Sequence, residues 1–309
     1  MKRRVAIERI TGGLALVAFP RVARAADVLR AALLPVDPAA SIYYAQDQGF
    51  FGEVAIEPQI QVIQAGSAVV SAVLANAIDV GWSNPISIAA ARLRGLPLTC
   101  IAAGGLYVEH EVTAGILVPK NSPAKTARDL NNKTMGVSGL QTLGQWGPAA
   151  WIDKNGGDSR TIKWVEMPFP DMPLALAQER VDAAYAAEPF ITLSKEGRVF
   201  ADAFAAIAPR FTIGAWVTTQ EYADAHRDLV ARFARAMAKA ATWGNEHRDQ
   251  SAAILSKYSK LDPAVTKSMA RVTYATRLLA AEMQPVIDLA VHYGTLRSSI
   301  RASDLVYKF

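Results

Sequence analysis

The chain has 309 residues, 51% of them hydrophobic and 20% charged, with 33 Lys and Arg against 28 Asp and Glu. That length and apolar fraction suffice for two substantial cores, and no stretch approaches the roughly 20 uninterrupted apolar residues of a membrane span. The single cysteine, Cys100, cannot form an internal disulfide and reads as a small buried hydrophobe on an apolar strand.

The first residues read as an export signal. Lys2, Arg3 and Arg4 make a basic start, residues 10–19 a short apolar run, and Ala23-Arg24-Ala25 a small-x-small cleavage pattern, so a signal peptide over 1–25 is expected to be cut after Ala25. With it go six basic side chains (Lys2, Arg3, Arg4, Arg9, Arg21, Arg24) and one acidic (Glu8), and the 33 basic and 28 acidic groups fall to 27 each. A nearly neutral mature chain gives no support to a nucleic-acid footprint, which needs clustered positive charge. No cysteine stands at the cleavage site, so a freely diffusing periplasmic protein is expected.

The mature chain then alternates. A strand over 28–34 is broken by Pro35 and Pro38, and a helix over 41–48 stops at Gly49. A strand over 54–63 ends at Gly66-Ser67, where Ser67 can cap a helix running to Asn76. A strand over 78–82, a helix over 85–93 and a strand over 98–102 complete a first β/α unit. A second begins near Ala114, with strands over 115–118, 134–137, 163–167 and 182–186 and helices over 126–130, 143–154 and 173–180. After Thr218 the chain turns helical: Leu229, Phe233, Met237 and Ala241 share one face of a helix over 221–243, and helices over 250–257, 263–274 and 283–293 follow.

One phrase occurs twice. Residues 72–82, ending Asp79-Val80-Gly81-Trp82, return as residues 175–185, ending Asp182-Ala183-Ala184-Tyr185, and a proline follows each at Pro85 and Pro189. A separation of about a hundred residues fits two similar α/β lobes, and the cleft between lobes is where a small molecule binds. Asp79 and Asp182, at matching turn-to-strand steps, are expected to hold backbone N–H groups.

The run Tyr43-Tyr44-Ala45-Gln46-Asp47-Gln48-Gly49-Phe50-Phe51, then Gly66-Ser67, residues 72–81, Val118-Pro119-Lys120-Asn121-Ser122-Pro123, residues 127–137 and residues 168–172 through Glu188-Pro189-Phe190 carry a resemblance over nearly the whole mature chain. It resembles the periplasmic solute-binding proteins of the sulfonate, nitrate, taurine and thiamine-pyrimidine-precursor group, the receptors of ABC importers. The resemblance implies a two-lobed type II periplasmic-binding fold, α/β, each lobe a mostly parallel sheet flanked by helices, with the helical C-terminal region on lobe one. Lobe one is then 26–113 plus 216–309 and lobe two 114–215, with crossings near 111–115 and 212–217. An inner-membrane ABC permease is the implied partner, and the receptor is expected to be a monomer without cofactor or metal.

In such a cleft, loops at the C-terminal ends of parallel strands face the ligand, and helix N-termini offer backbone N–H groups. Three corners qualify: Gly66 and Ser67, Ser83 and Asn84, and Ser138 and Gly139 with Thr142. Trp82 and Trp216 are expected near the cleft, with Tyr44 near the exit of the first strand, as stacking faces for a planar body. Glu188 is either an acceptor for a ligand amine or ring N–H, which favours a heterocycle, or an exposed turn acid. The ligand is thus expected among sulfonates, aromatic acids and pyrimidine-like heterocycles. A rival reading is a pyrimidine-precursor synthase-like enzyme of the same fold, but the cysteine-rich motif of that relative is missing here and the four histidines are scattered. A periplasmic sensor subunit is the third reading.

Overall fold

The computed structural model describes residues 25–309. The expected signal peptide, apart from Ala25, lies outside the described residues.

Three sheets organise the chain. The first takes β1 (Asp27–Leu33), β2 (Ile56–Val62), β3 (Val80–Ser83) and β4 (Leu98–Ala103), interleaved with helices α1 (Ser41–Asp47), α2 (Phe50–Glu53), α3 (Gly66–Leu74) and α4 (Pro85–Leu93). After β5 (Gly105–Val108), the second is built from β6 (Ala114–Pro119), β7 (Thr134–Val137), β8 (Lys163–Glu166), β9 (Ala183–Ala187) and β10 (Gly197–Asp202), with α5 (Leu143–Lys154), α6 (Met172–Ala177) and α7 (Phe190–Leu193) between them. Then β11 (Arg210–Thr212) leads to β12 (Ala215–Thr219), which rejoins the first sheet.

The strand orders are β2-β1-β3-β12-β4 and β10-β6-β9-β7-β8. In the first sheet β1 runs parallel to β2 and β3, and only β12 opposes its neighbours; in the second, β7 runs parallel to β8 and β9, and β6 opposes its neighbours. Both sheets are therefore mixed, and in each the reversed strand is the one that arrives from the other half of the chain. The expectation of β/α units holds because parallel strands require helical crossovers. Patterning does not announce β5 and β11, which pair antiparallel so that the two passages between the main sheets lie side by side.

The repeat closes in the same way twice. Asp79 accepts Arg30 N–H at 2.8 Å while its own N–H bonds Arg30 O; Asp182 accepts Thr134 N–H at 2.9 Å while its own N–H bonds Thr134 O. The preceding turns match as well, with Asn76 and Glu179 both in the left-handed region at φ 53°. Each aspartate thus staples the start of one strand to its neighbour.

The tail is α8 (Gln220–Ala225), α9 (Arg227–Glu246), α10 (Arg248–Ser259), α11 (Pro263–Ser268) and α12 (Ala280–His292). The helix expected over 263–274 stops at Ser268, and its last residues form β13 (Thr273–Tyr274), which pairs with β5 as the third strand of the small sheet. Asp37 accounts for the change: its carboxylate accepts Val272 N–H at 2.8 Å, a bond that replaces helical pairing. Helix α9 buries Leu229, Phe233, Met237 and Ala241, and Phe233 meets Trp216 of β12 edge-on at 5.6 Å, so the tail returns to the first sheet.

Candidate functional site

A cavity open in part to solvent lies between the two main sheets and is lined by residues from both. Its wall is made just past the C-terminal ends of strands from both: Leu34 after β1, Gly66 and Ser67 after β2, Asn84 after β3, Ser138 and Gly139 after β7, and Phe169 after β8. Loop backbone exposed at strand ends is the usual place for a ligand in open α/β sheets.

Helix starts shape the polar corners. Asn84 caps α4, its Oδ1 accepting Ile86 N–H at 3.1 Å and Ser87 N–H at 3.2 Å, and Pro85 occupies the first turn, where no N–H is needed. Thr142 caps α5, accepting Gly144 N–H at 3.3 Å and donating to Gly139 O at 2.8 Å. Helix α3 has no side-chain cap at all, so N–H groups of its first turn stay unpaired at the cavity edge. Glycine at position 144 leaves room for the site: a Cβ there would stand 2.6 Å from Ser138 Oγ and 3.1 Å from Tyr185 Cε1 and would displace both.

Of the expected site residues, Gly66, Ser67, Trp82, Asn84, Ser138, Gly139 and Thr142 line this cavity, and Tyr44, Ser83, Glu188 and Trp216 do not. Ser83 is fully buried and turns its hydroxyl to Gly66 O at 3.3 Å, fixing the corner from behind. Trp216 is fully buried against α9. Tyr44 belongs to a polar cluster behind Pro38: Asp37 Oδ1 accepts Arg271 Nε–H at 2.9 Å and Tyr274 O–H at 2.8 Å, while Tyr44 O–H lies 3.0 Å from Tyr274 O–H and also bonds Arg271. Burial holds the Tyr44 and Tyr274 phenols well above their ordinary pKa, with the Asp37 charge adding to the shift.

Glu188 is neither an exposed acid nor a cavity group. It is 3% exposed, and its carboxylate accepts Thr192 N–H and O–H, both at 3.1 Å, and Ala270 N–H at 3.3 Å. Its peptide oxygen accepts Asp37 N–H at 2.9 Å. Burial raises the Glu188 pKa above the ordinary carboxylate range despite these bonds. The side chain therefore ties the end of β9 to the tail.

Trp82 lines the cavity and at the same time covers the two passages. Gly104 N–H bonds Gly214 O at 3.1 Å, and Cβ atoms on these glycines would stand 2.4 Å from Trp82 Nε1 and 2.2 Å from Trp82 Cζ2. Trp82 Nε1 has no hydrogen-bond partner among the described residues.

Tyr185, Phe169, Leu34, Val36 and Ile213 also line the cavity and were not anticipated. Tyr185 was legible, because it holds in the second copy of the repeated phrase the position that Trp82 holds in the first. It is 5% exposed, its hydroxyl has no partner among the described residues, and burial lifts its pKa far above 10.0. Among the described residues, no charged side chain lines the cavity.

Solved structures share this fold. The ligand-binding component of an ABC-type import system from Staphylococcus aureus, solved with zinc bound, aligns with a TM-score of 0.80 at 17% identity, over 91% of this chain and 96% of that one. The alkanesulfonate-binding protein SsuA from Xanthomonas axonopodis pv. citri, bound to MOPS, gives 0.75 at 20% identity over 93% and 100%. The desulfurization enzyme DSZB gives 0.69 at 17% identity over 91% and 96%. The periplasmic-binding fold thus carries both binding proteins and an enzyme. No curated protein matches the chain in sequence. A family model described as NMT1/THI5 like matches residues 38–251, more than half of the chain, which therefore belongs to the NMT1/THI5-like family.

Proposed function

We propose that this chain is the periplasmic receptor of an ABC importer, capturing a small organic solute between two lobes and presenting the closed form to an inner-membrane permease. The lobes in this reading are residues 26–113 with 216–309 and residues 114–215, carried to the periplasm by the signal peptide over 1–25, and the receptor works as a monomer. The observation that supports it most is a cavity walled from both main sheets, by Ser67, Trp82 and Asn84 on one side and Ser138, Thr142 and Tyr185 on the other. A ligand touching both halves stabilises the closed state by its differential contacts, which is the requirement for a receptor whose occupancy is read from outside.

The enzyme reading has less to work with. Cys100 is fully buried on β4 away from the cavity, and burial pushes its thiol up to about 12, so it supplies no thiolate. The test is a thermal-shift screen of the mature chain against sulfonates, aromatic acids, pyrimidines and nitrate, because a ligand that binds only the native state raises its apparent stability. Small-angle scattering with the best hit should show a more compact particle, and mass spectrometry should recover the compound unchanged. A hit that is converted, or scattering that is the same with every compound, overturns the receptor reading.

A further inference from the structure

On top of the receptor reading, we infer that Trp146, Tyr293 and Thr295 form a clasp that holds the two halves together by protein contacts alone, and so sets affinity for the solute without touching it. The clasp joins α5, in the half built on the second sheet, to the end of α12 in the tail. Trp146 stacks on Tyr293 with ring centroids 4.8 Å apart and planes 4° from parallel, and its Nε1–H donates to Thr295 Oγ1 at 2.7 Å. The Tyr293 hydroxyl donates to Asp153 Oδ2 at 2.7 Å. Positions 146 and 153 lie two turns apart, so one face of α5 carries both contacts. On the tail side Gly294, left-handed at φ 74°, ends α12 after Tyr293 and turns the chain so that Thr295 comes back beside Trp146. The first turn of α5, with Leu143 and Gly144, lines the cavity, and the three clasp residues do not.

Position gives this contact its leverage. Other links between the halves stand at the passages: Tyr107 of β5 donates to Asp202 at 2.7 Å, and Glu188, bonded to Ala270 and Asp37, gives its own N–H to Thr113 O at 3.1 Å. Helix α12 begins there too, since Glu282 in its first turn pairs with Arg210 of β11 at 2.6 Å. From Glu282 to Tyr293 the helix advances about 16 Å, so its far end meets α5 well away from the passages. A contact made away from a pivot is separated most when the pivot opens. Trp146, Tyr293 and Thr295 are half-buried and Asp153 is exposed, so water takes over their bonds when the halves part. An aromatic stack with such bonds shifts an equilibrium by about tenfold. Apparent affinity scales with the population of the binding-competent state, and a clasp that never meets the solute therefore still tunes it.

Amide hydrogen exchange and small-angle scattering of the mature chain, with no compound added, test the clasp. Trp146→Ala and Tyr293→Ala are each expected to raise the radius of gyration and to speed exchange about tenfold in α3 beyond Ser67, on the opposite wall of the cavity from α5. The double variant should go no further than either single one, because both remove one shared contact. Trp146→Phe, which keeps an aromatic face, should fall between Trp146→Ala and the unsubstituted chain. Faster exchange confined to α5 and the end of α12, or an unchanged radius of gyration, makes the contact local packing and overturns the clasp; effects that multiply in the double variant overturn it as well. Should Trp146→Ala fail to fold, Tyr293→Ala and Thr295→Val decide by the same two readings. None of these readings uses a compound, so the receptor reading stands or falls separately in the ligand screen.

Discussion

Two buried polar regions lie on either side of Pro38, and they differ in how fully their groups are paired. Behind it, Asp37, Arg271, Tyr44 and Tyr274 engage one another and the Val272 N–H. In front of it, Tyr185 and Ser138 line a cavity, and their hydroxyls bond nothing among the described residues. Each region contains a buried tyrosine, so residue type does not separate them. A saturated network holds a structure together, whereas a buried group left unpaired carries a desolvation cost that only a ligand or water removes.

Breaking the saturated side should give the largest effect. Asp37→Ala leaves the buried Arg271 guanidinium without its carboxylate and is expected to lower stability by about 3–5 kcal/mol, measured by urea unfolding. Little loss would mean that the cluster is less well organised than its hydrogen bonds imply. Next comes Gly214→Ala, which drives a methyl group into the Trp82 indole. Overpacking of this kind costs about 1–3 kcal/mol, and because the same indole lines the cavity, ligand affinity should fall with it. Unchanged affinity would separate the passages from the site.

On the unsaturated side the pattern reverses. Tyr185→Phe removes a hydroxyl that bonds nothing among the described residues, so the unfolding midpoint should hold or rise while affinity for the bound solute falls by about 1 kcal/mol. A loss of stability equal to the loss of affinity would place Tyr185 with the structural cluster. The smallest effect concerns Glu188. Its raised pKa favours the protonated form in the fold, so the stability it contributes is complete below the unfolded pKa of about 4.3 and is lost as pH rises through the folded value. Glu188→Gln should flatten that fall, seen as a weaker pH dependence of the urea midpoint from about pH 4 to 7.

The legible part of this molecule was local or repetitive. Asn84 and Thr142 were placed at cleft corners from the residues alone and prove also to cap α4 and α5, whereas Ser67, expected to cap α3, makes no cap bond. The duplicated Asp79 and Asp182 steps predicted a carboxylate holding a backbone N–H in both halves, and the structure supplies the partners, Arg30 and Thr134. The same repeat pairs Trp82 with Tyr185, yet indole and phenol differ enough that only Trp82 was chosen. Tyr44 and Glu188 were placed at the cleft by their nearness to strand ends and Trp216 by the return crossing, and other partners claimed all three. Arg271 and Tyr274 took Tyr44, Thr192 and Ala270 took Glu188, and the Phe233 face of α9 took Trp216.

Sequence by itself determined the β/α alternation and the doubling of the unit, because the patterns that mark them are written in residues within a turn or two of one another. Tertiary structure alone decided which strand is reversed in each sheet, that residues 273–274 form a strand, and which buried polar groups are left without partners. Those outcomes depend on segments more than a hundred residues apart competing for the same donors and acceptors. Spacing along the chain carries no record of that competition.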